Sequence, residues 1–102
     1  MKLNAFKKYL ESLNPYEVVG YSGEALKCPI AQWQNKRKDV YYSSVAYRYF
    51  SIRYSYTSNL HNGQYRSYPT PKWAKNFIHE IDHKIFPGSR VTAKEALEAL
   101  NV

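Results

Sequence analysis

Apolar positions recur at helical spacing in two long parts of the chain. Near the N-terminus they are three or four residues apart and so share one helical face: Leu3, Phe6, Leu10 and Leu13. Asn14-Pro15 ends this helix, because the residue before a proline avoids the α conformation. A second run, with Thr70 as N-cap and Pro71 at the first helical position, predicts a helix that continues to residue 85. Its predicted buried face consists of Ala74, Phe77, Ile78, Ile81 and Ile85.

Two shorter helices and one short strand are predicted from local signals. Pro29 suits the first position of a helix over residues 29–35, since its missing N–H needs no partner there. Thr92 and Glu95 have the spacing of a capping box, which predicts the start of a last helix. The inward residues of that helix are predicted to be Ala96, Leu97 and Leu100. Residues 17–21 include β-branched side chains and predict a strand or an extended linker.

Residues 40–57 carry the β-branched and aromatic side chains typical of strands. The segment is longer than one ordinary strand, so we expect a bend near Ser43-Ser44. Beyond the bend, alternation separates a core face from a second face. The predicted core face contains Ala46, Arg48, Phe50, Ile52, Tyr54 and Tyr56, and the second face contains Val45, Tyr47, Tyr49, Ser51, Arg53 and Ser55. Asn62-Gly63 predicts a hairpin turn, after which residues 64–68 return antiparallel.

Together these elements predict a single α+β domain over residues 1–102. A small antiparallel sheet, formed by a tyrosine-rich hairpin, is packed by three or four short helices. The length fits one domain. A content of 44% hydrophobic and 17% aromatic residues is typical of a folded chain rather than a disordered one.

Tyrosines and cations are concentrated in the same part of the chain. Eight of the eleven tyrosines lie between residues 41 and 68. Residues 25–79 hold nine of the fifteen lysines and arginines but only one of the eight acids, Asp39. Tyrosine rings can stack on unpaired bases, and cations can neutralise phosphates. The net charge of +7 therefore indicates a polyanionic partner: nucleic acid, an acidic protein surface or anionic lipid.

We expect a small non-catalytic binding protein whose main partner is nucleic acid. The candidate contact residues are cations of the basic segment and tyrosines of the second sheet face: Lys36, Arg37, Lys38, Tyr47, Tyr49, Arg53, Arg66, Lys72 and Lys75. The alternative is a protein-binding inhibitor or adaptor that acts on an acidic or nucleic-acid-handling partner, since tyrosine, serine and arginine also build adaptable protein interfaces. A homodimer through an exposed strand edge is a further alternative. The simplest interpretation is a solvated basic surface.

A third function, zinc-dependent hydrolysis, is suggested by the pentapeptide His79-Glu80-Ile81-Asp82-His83, which fits H-E-x-x-H. Two histidines one helical turn apart can share a zinc ion, with the glutamate as general base. The pentapeptide is similar to the metal-binding motif of the peptide deformylases. This resemblance covers five residues and implies a cysteine as third ligand, a role that would belong to Cys28.

The helical phase favours another interpretation of His79 and His83. At about 100° per residue, both fall nearly opposite the isoleucine face and beside Lys72 and Lys75, on the solvent side of the helix. We therefore expect no catalysis and no cofactor, and His79 and His83 are weak metal candidates. For Cys28 two interpretations stay open: an N-cap thiol with a lowered pKa, or a small buried hydrophobic side chain.

The single cysteine cannot form an internal disulfide, which favours a reducing compartment. The N-terminus lacks an apolar segment of signal-peptide length, and no stretch approaches the ~18 apolar residues of a membrane span. These features predict a cytoplasmic protein that does not associate with membranes.

Overall fold

The computed structural model describes residues 1–56 and 62–100. Within these residues the chain forms four helices: α1 (Leu3–Glu11), α2 (Pro29–Gln34), α3 (Lys72–Lys84) and α4 (Ala93–Leu100). The strands of the same residues are β1 (Val18–Tyr21), β2 (Val40–Val45), β3 (Tyr49–Tyr54), β4 (Tyr65–Pro69) and β5 (Arg90–Thr92). A three-stranded antiparallel sheet in the order β2-β3-β4 and a two-stranded sheet β1-β5 confirm the predicted α+β fold.

The three-stranded sheet places its apolar side chains on one face. Phe50, Ile52 and Tyr54 of β3 are buried, as the alternation predicts. Val45 of β2 lies directly opposite Phe50 and is also buried, at 2% exposure. The prediction that Val45 belongs to the second face is therefore wrong. The chain reverses direction after Val45, so the alternation of β3 does not extend back into β2.

The bend predicted near Ser43-Ser44 is wrong as well, because the chain turns at residues 46–48. Ser43 stays inside β2 because α2 satisfies its polar atoms. Its hydroxyl donates to the Ala31 carbonyl oxygen at 2.9 Å, and its N–H donates to Asn35 Oδ1 at 2.8 Å. Three residues of the predicted core face are therefore exposed: Ala46, Arg48 and Tyr56. Ala46 and Arg48 lie in the turn, and Tyr56 lies beyond the end of β3.

The third strand, β4, returns antiparallel to β3, as predicted. Gly63, in the connection between them, has a φ of 77°, a left-handed conformation that glycine adopts without strain. Residues 57–61, which include the end of the predicted strand segment and part of the predicted hairpin, lie outside the described residues.

Helices α1 and α3 bury the centres of the faces that their periodicity predicts, whereas Leu3, Leu13, Ile78 and Ile85 at the margins are half-buried. In α1, Phe6 and Leu10 are fully buried, and in α3, Ala74, Phe77 and Ile81 are buried. The Phe6 ring is central, with ring centres 5.0 Å from Trp33, 5.7 Å from Trp73 and 5.3 Å from Phe77. No helix among the described residues is both long and apolar enough to cross a membrane.

The start of α3 differs from the prediction. The helix begins at Lys72, with Pro71 at the N-cap position. Thr70 does not cap it, because the Thr70 hydroxyl instead donates to the Ala46 carbonyl oxygen at 2.7 Å. This bond ties the start of α3 to the turn between β2 and β3.

The two-stranded sheet contains β5, a strand that the sequence pattern did not reveal. β5 pairs with β1 and leads directly into α4. The predicted capping box is confirmed at this junction: the Thr92 N–H donates to Glu95 Oε1 at 2.9 Å, and the Glu95 N–H donates to Thr92 Oγ1 at 3.2 Å. In α4 the buried residues are Ala93, Ala96 and Ala99, whereas Leu97 and Leu100, predicted to point inward, are only half-buried.

Candidate binding surface

The face of the β2-β3-β4 sheet that turns away from the core is the main candidate surface. Side chains directly opposite each other in paired strands share a face, so the register identifies the residues of this outer face. They are Tyr42 and Ser44 from β2, Tyr49, Ser51 and Arg53 from β3, and Tyr65, Ser67 and Pro69 from β4. Its tyrosines are exposed, Tyr49 by 60%, Tyr65 by 54% and Tyr42 by 37%.

Arg53 lies between two tyrosines in one row across the sheet, the arginine row. Tyr42 is its partner on β2, and Tyr65 is its partner on β4. The guanidinium carbon lies 5.9 Å from the centre of the Tyr65 ring, and Nη1 donates to the Gly63 carbonyl oxygen at 2.9 Å. The Tyr41 ring packs edge-on against the Tyr42 ring, with the ring centres 5.9 Å apart. The arginine charge is thus held in place between exposed rings.

The next row across the sheet, the serine row, consists of three small polar side chains. Ser44 lies opposite Ser51, and Ser51 lies opposite Ser67. The hydroxyl oxygens of Ser51 and Ser67 are 2.8 Å apart, at hydrogen-bond distance. Tyr49 and Pro69 form a third row on the far side. The serine row is therefore a shallow polar floor between two rows that contain larger rings.

Charge is distributed unevenly around this sheet. None of the eight acids lies on β2, β3 or β4, and the sequence from residue 40 to residue 79 contains no carboxylate. The same forty-residue stretch contains five cations: Arg48, Arg53, Arg66, Lys72 and Lys75. Asp39, directly before β2, is paired with Arg37 at 2.6 Å. A surface of this kind attracts polyanions, and acidic protein surfaces are among them.

The structure brings together part of the predicted contact set. Tyr49 and Arg53 share the outer face, as predicted. Tyr47 does not lie there, because residue 47 is in the turn between strands and the alternation does not reach it. Its ring centre lies 5.5 Å from Lys75 Nζ, and with Phe77 it lines an apolar pocket beside α3. Tyr47, Lys72 and Lys75 thus form a separate group at the start of α3.

The other predicted cations lie off the outer face. Lys36, Arg37 and Lys38 follow the C-terminal end of α2, where Lys36 Nζ lies 6.0 Å from the centre of the Tyr9 ring. Arg66 is an exposed residue of β4 on the core-side face of the sheet, and its Nη2 donates to Gln64 Oε1 at 2.8 Å. These residues therefore do not belong to the outer face.

Sequence reasoning missed Tyr42, Tyr65 and the serine row as site residues. A detectable signal exists: every strand of the sheet contains a Tyr-x-Ser spacing, at 42–44, 49–51 and 65–67, and β2 contains a second one at 41–43. Alternation alone does not show that the first three of these pairs align. Their alignment depends on the strand register, which includes an irregularity between residues 40 and 42 of β2.

The two histidines of the H-E-x-x-H pentapeptide, His79 and His83, lie on the exposed side of α3, as their helical phase predicts. Their rings stack with centres 5.9 Å apart. Glu80 is paired with Lys84 at 2.9 Å, and this hydrogen-bonded cation lowers the pKa of the Glu80 carboxyl. Within residues 1–56 and 62–100, no group of three or more His, Cys, Asp or Glu side chains is arranged to hold a metal ion.

Cys28 lies in the core, at the N-cap position of α2. The side chain is 8% exposed, and burial raises the pKa of the thiol to about 11. Of the two interpretations of Cys28, the buried hydrophobic side chain therefore fits the structure, and the low-pKa thiol does not.

Comparison with known protein families, curated proteins and solved structures finds no match to this chain. Function is therefore inferred from the chemistry of the outer face.

Proposed function

We propose that the outer face binds single-stranded nucleic acid. The observation that supports this most is a sheet face on which two exposed tyrosines flank one hydrogen-bonded arginine and a third exposed tyrosine lies further along the same face, on strands that carry no carboxylate. Aromatic rings stack on unpaired bases with little regard to sequence, and the arginine fork matches phosphate. The cations that lie off the face add attraction at longer range.

The spacing of the rings suits a strand whose bases are splayed apart. Neighbouring strands of a sheet are about 4.8 Å apart, so Tyr42 and Tyr65, two strands apart, are separated by about 10 Å. Tyr49 is four residues from Arg53 along β3, a distance of about 13 Å. A base placed over the serine row has rings on both sides and hydroxyls within reach of its edge.

A preference for single strands over duplexes follows from the same geometry. The outer face is a shallow sheet surface, and its aromatic groups act through ring faces. Unpaired bases present a ring face that can stack there, whereas the bases of a duplex are already stacked and paired. Duplex DNA would meet only the positive charge of the surface.

An acidic protein surface is the second candidate partner. Tyrosine, serine and arginine are also the residues of adaptable protein interfaces, and they make up almost the whole outer face. Salt separates the two candidates. Binding to phosphates weakens steeply as salt rises because counterions are released, whereas a contact centred on tyrosine rings is less sensitive.

The test is fluorescence anisotropy with labelled single-stranded DNA, single-stranded RNA and duplex DNA, at low and at physiological salt. We expect a single strand to bind at both salt concentrations and more tightly than the duplex. Tyr49→Ala and Tyr65→Ala should each weaken binding by about tenfold, since a stacked base contributes about 1–3 kcal/mol. Tyr16→Ala is the matched control, because Tyr16 is 77% exposed but lies between α1 and β1.

Two results would overturn the proposal. One is the absence of single-strand binding at physiological salt, and the other is an equal loss of affinity in Tyr16→Ala. Circular dichroism of the variants excludes unfolding as the cause of any loss. Binding to polyglutamate without binding to any nucleic acid would favour the acidic protein partner.

A further inference from the structure

The two edges of the β2-β3-β4 sheet differ in how their outward peptide groups are bonded. On β2, the Ser43 N–H donates to Asn35 Oδ1 at 2.8 Å, and the Val45 N–H donates to the Ala25 carbonyl oxygen at 2.8 Å. Both groups point away from β3, so α2 and the segment before it close this edge. A further strand cannot be added beside β2 at these positions.

On β4, the bonds at either end of the strand identify the residues that face outward. The Tyr54 N–H donates to the Gln64 carbonyl oxygen, and the Thr70 N–H donates to the Arg48 carbonyl oxygen, both at 2.9 Å. Even-numbered positions thus face β3, and peptide groups alternate in direction along an antiparallel strand. The outward residues of β4 are therefore Tyr65, Ser67 and Pro69.

This edge of β4 is open among the described residues. No described residue forms a hydrogen bond with the outward peptide groups of Tyr65, Ser67 or Pro69. Two N–H groups and three carbonyl groups are available, since proline has no N–H. Proline is tolerated at Pro69 because the missing donor would have pointed away from the sheet.

We propose that the chain forms a two-fold symmetric dimer in which β4 pairs antiparallel with β4 of a second copy, centred on Ser67. Each Ser67 N–H donates to the Ser67 carbonyl oxygen of the other copy. Each Tyr65 N–H donates to the Pro69 carbonyl oxygen of the other copy. Every outward N–H group of β4 is then bonded, as antiparallel pairing requires.

Charge and hydrogen-bond geometry select this register over its neighbours. Centring the pair on Arg66 places two arginines directly opposite each other, which destabilises a strand pair. Centring it on Tyr68 places Tyr65 opposite Pro71, beyond the end of β4, so the outward N–H of Tyr65 has no partner within the strand pair. With Ser67 at the centre, Arg66 lies opposite Tyr68 and Tyr65 opposite Pro69, so the facing side chains are complementary.

The dimer is a closed assembly. Pairing through β4 uses the open edge of each copy, and the β2 edges are already bonded, so the sheet stops at six strands. The two outer faces become continuous across the dimer. The dimer does not depend on nucleic-acid binding, although it would double the length of that surface.

Sedimentation equilibrium over a range of concentrations tests the dimer. We expect the mass to rise with concentration from that of the 12.0 kDa chain to twice that value. Ser67→Pro removes the central N–H but leaves the bonds between β3 and β4 in place, so it should weaken dimerisation by at least about tenfold. Ser67→Ala retains the N–H and should dimerise like the original chain, which makes it the matched control.

Amide hydrogen exchange on the unsubstituted chain provides a second readout. The N–H groups of Tyr65 and Ser67 should exchange more slowly as the protein concentration rises. Those of Arg66 and Tyr68 are bonded to β3 in monomer and dimer alike, so their exchange should not depend on concentration in this way. A chain that stays monomeric at millimolar concentration, or a dimer that Ser67→Pro leaves unchanged, overturns the proposal.

Salt distinguishes a failure of this proposal from a failure of the proposed function. Two copies that each carry a charge of +7 repel, so added salt should strengthen the dimer. Added salt should weaken contacts with phosphates. Each proposal can thus be refuted while the other stands.

Discussion

The buried thiol of Cys28 should make the folded protein less stable in alkali. Burial raises the pKa of this thiol from 9.0 to about 11. The unfolded chain therefore releases the thiol proton at lower pH than the folded chain does. Between these two pKa values the folded state binds more protons, so the free energy of unfolding falls as pH rises. Below the lower value, both states hold the proton and Cys28 contributes no pH dependence.

The size of this loss of stability follows from the interval between the two pKa values of the thiol. At about pH 10 the thiol is mostly ionised in the unfolded chain and mostly protonated in the folded chain. This difference lowers the free energy of unfolding by about 1 kcal/mol. Burial and the hydrogen bond with Tyr68 also raise the pKa of the Tyr54 phenol, so Tyr54 adds to the loss in stronger alkali. The contribution of Cys28 must therefore be isolated with a variant.

Urea denaturation of the original chain and of Cys28→Ala, at about pH 8 and about pH 10, provides that comparison. The alanine variant should be less stable at the lower pH, because it loses buried contacts and leaves a small cavity. Its disadvantage should shrink by about 1 kcal/mol at the higher pH, since the effects of the tyrosines cancel between the two proteins. Parallel pH profiles would refute the reasoning and show that the thiol titrates alike in both states.

Two further substitutions test the packing and the capping. Gly20→Ala should lower the free energy of unfolding by about 2 kcal/mol or more, because the added Cβ would lie 2.6 Å from the Pro29 backbone nitrogen. Gly88→Ala is the comparison, since no atom lies within 4 Å of its added Cβ. It should lower the free energy of unfolding by only about 1 kcal/mol, because Gly88 has a positive φ. Equal losses in urea denaturation would contradict this close approach. Thr92→Val removes the hydroxyl that accepts the Glu95 N–H and should cost about 1 kcal/mol. An unchanged Tm in calorimetry would show that this bond contributes nothing.

The helices could be predicted from the sequence because their signals are local. The periodicity that places Phe6 and Phe77 in the core, and the side chain that caps α4, depend on residues within a few positions of each other. The turn at residues 46–48 contains no glycine, proline or asparagine, so nothing local marks it. The strand β5 spans three residues, and its partner β1 lies in the opposite half of the chain. Both features are set by tertiary contacts.

The residues of the outer face could be predicted only in part. Tyr49 and Arg53 follow from alternation within one strand. Tyr42 and Tyr65 join them only through the pairing of three strands, and one of those pairings contains an irregular register that alternation cannot reveal. Tyr47 was wrongly assigned to the outer face, because the alternation of β3 was extended into the turn at residues 46–48.

The uneven placement of charge also makes the molecule an electric dipole. Residues 25–79, which include the three strands of the larger sheet, carry nine cations and one acid, whereas the rest of the chain carries six cations and seven acids. An approaching polyanion therefore exerts a torque on the protein before the two touch, and the torque turns the sheet toward it. Screening limits this rotation to separations of about 10 Å at 0.1 M salt. The dipole therefore influences how often an encounter begins in a productive orientation, which is a property of the association rate constant.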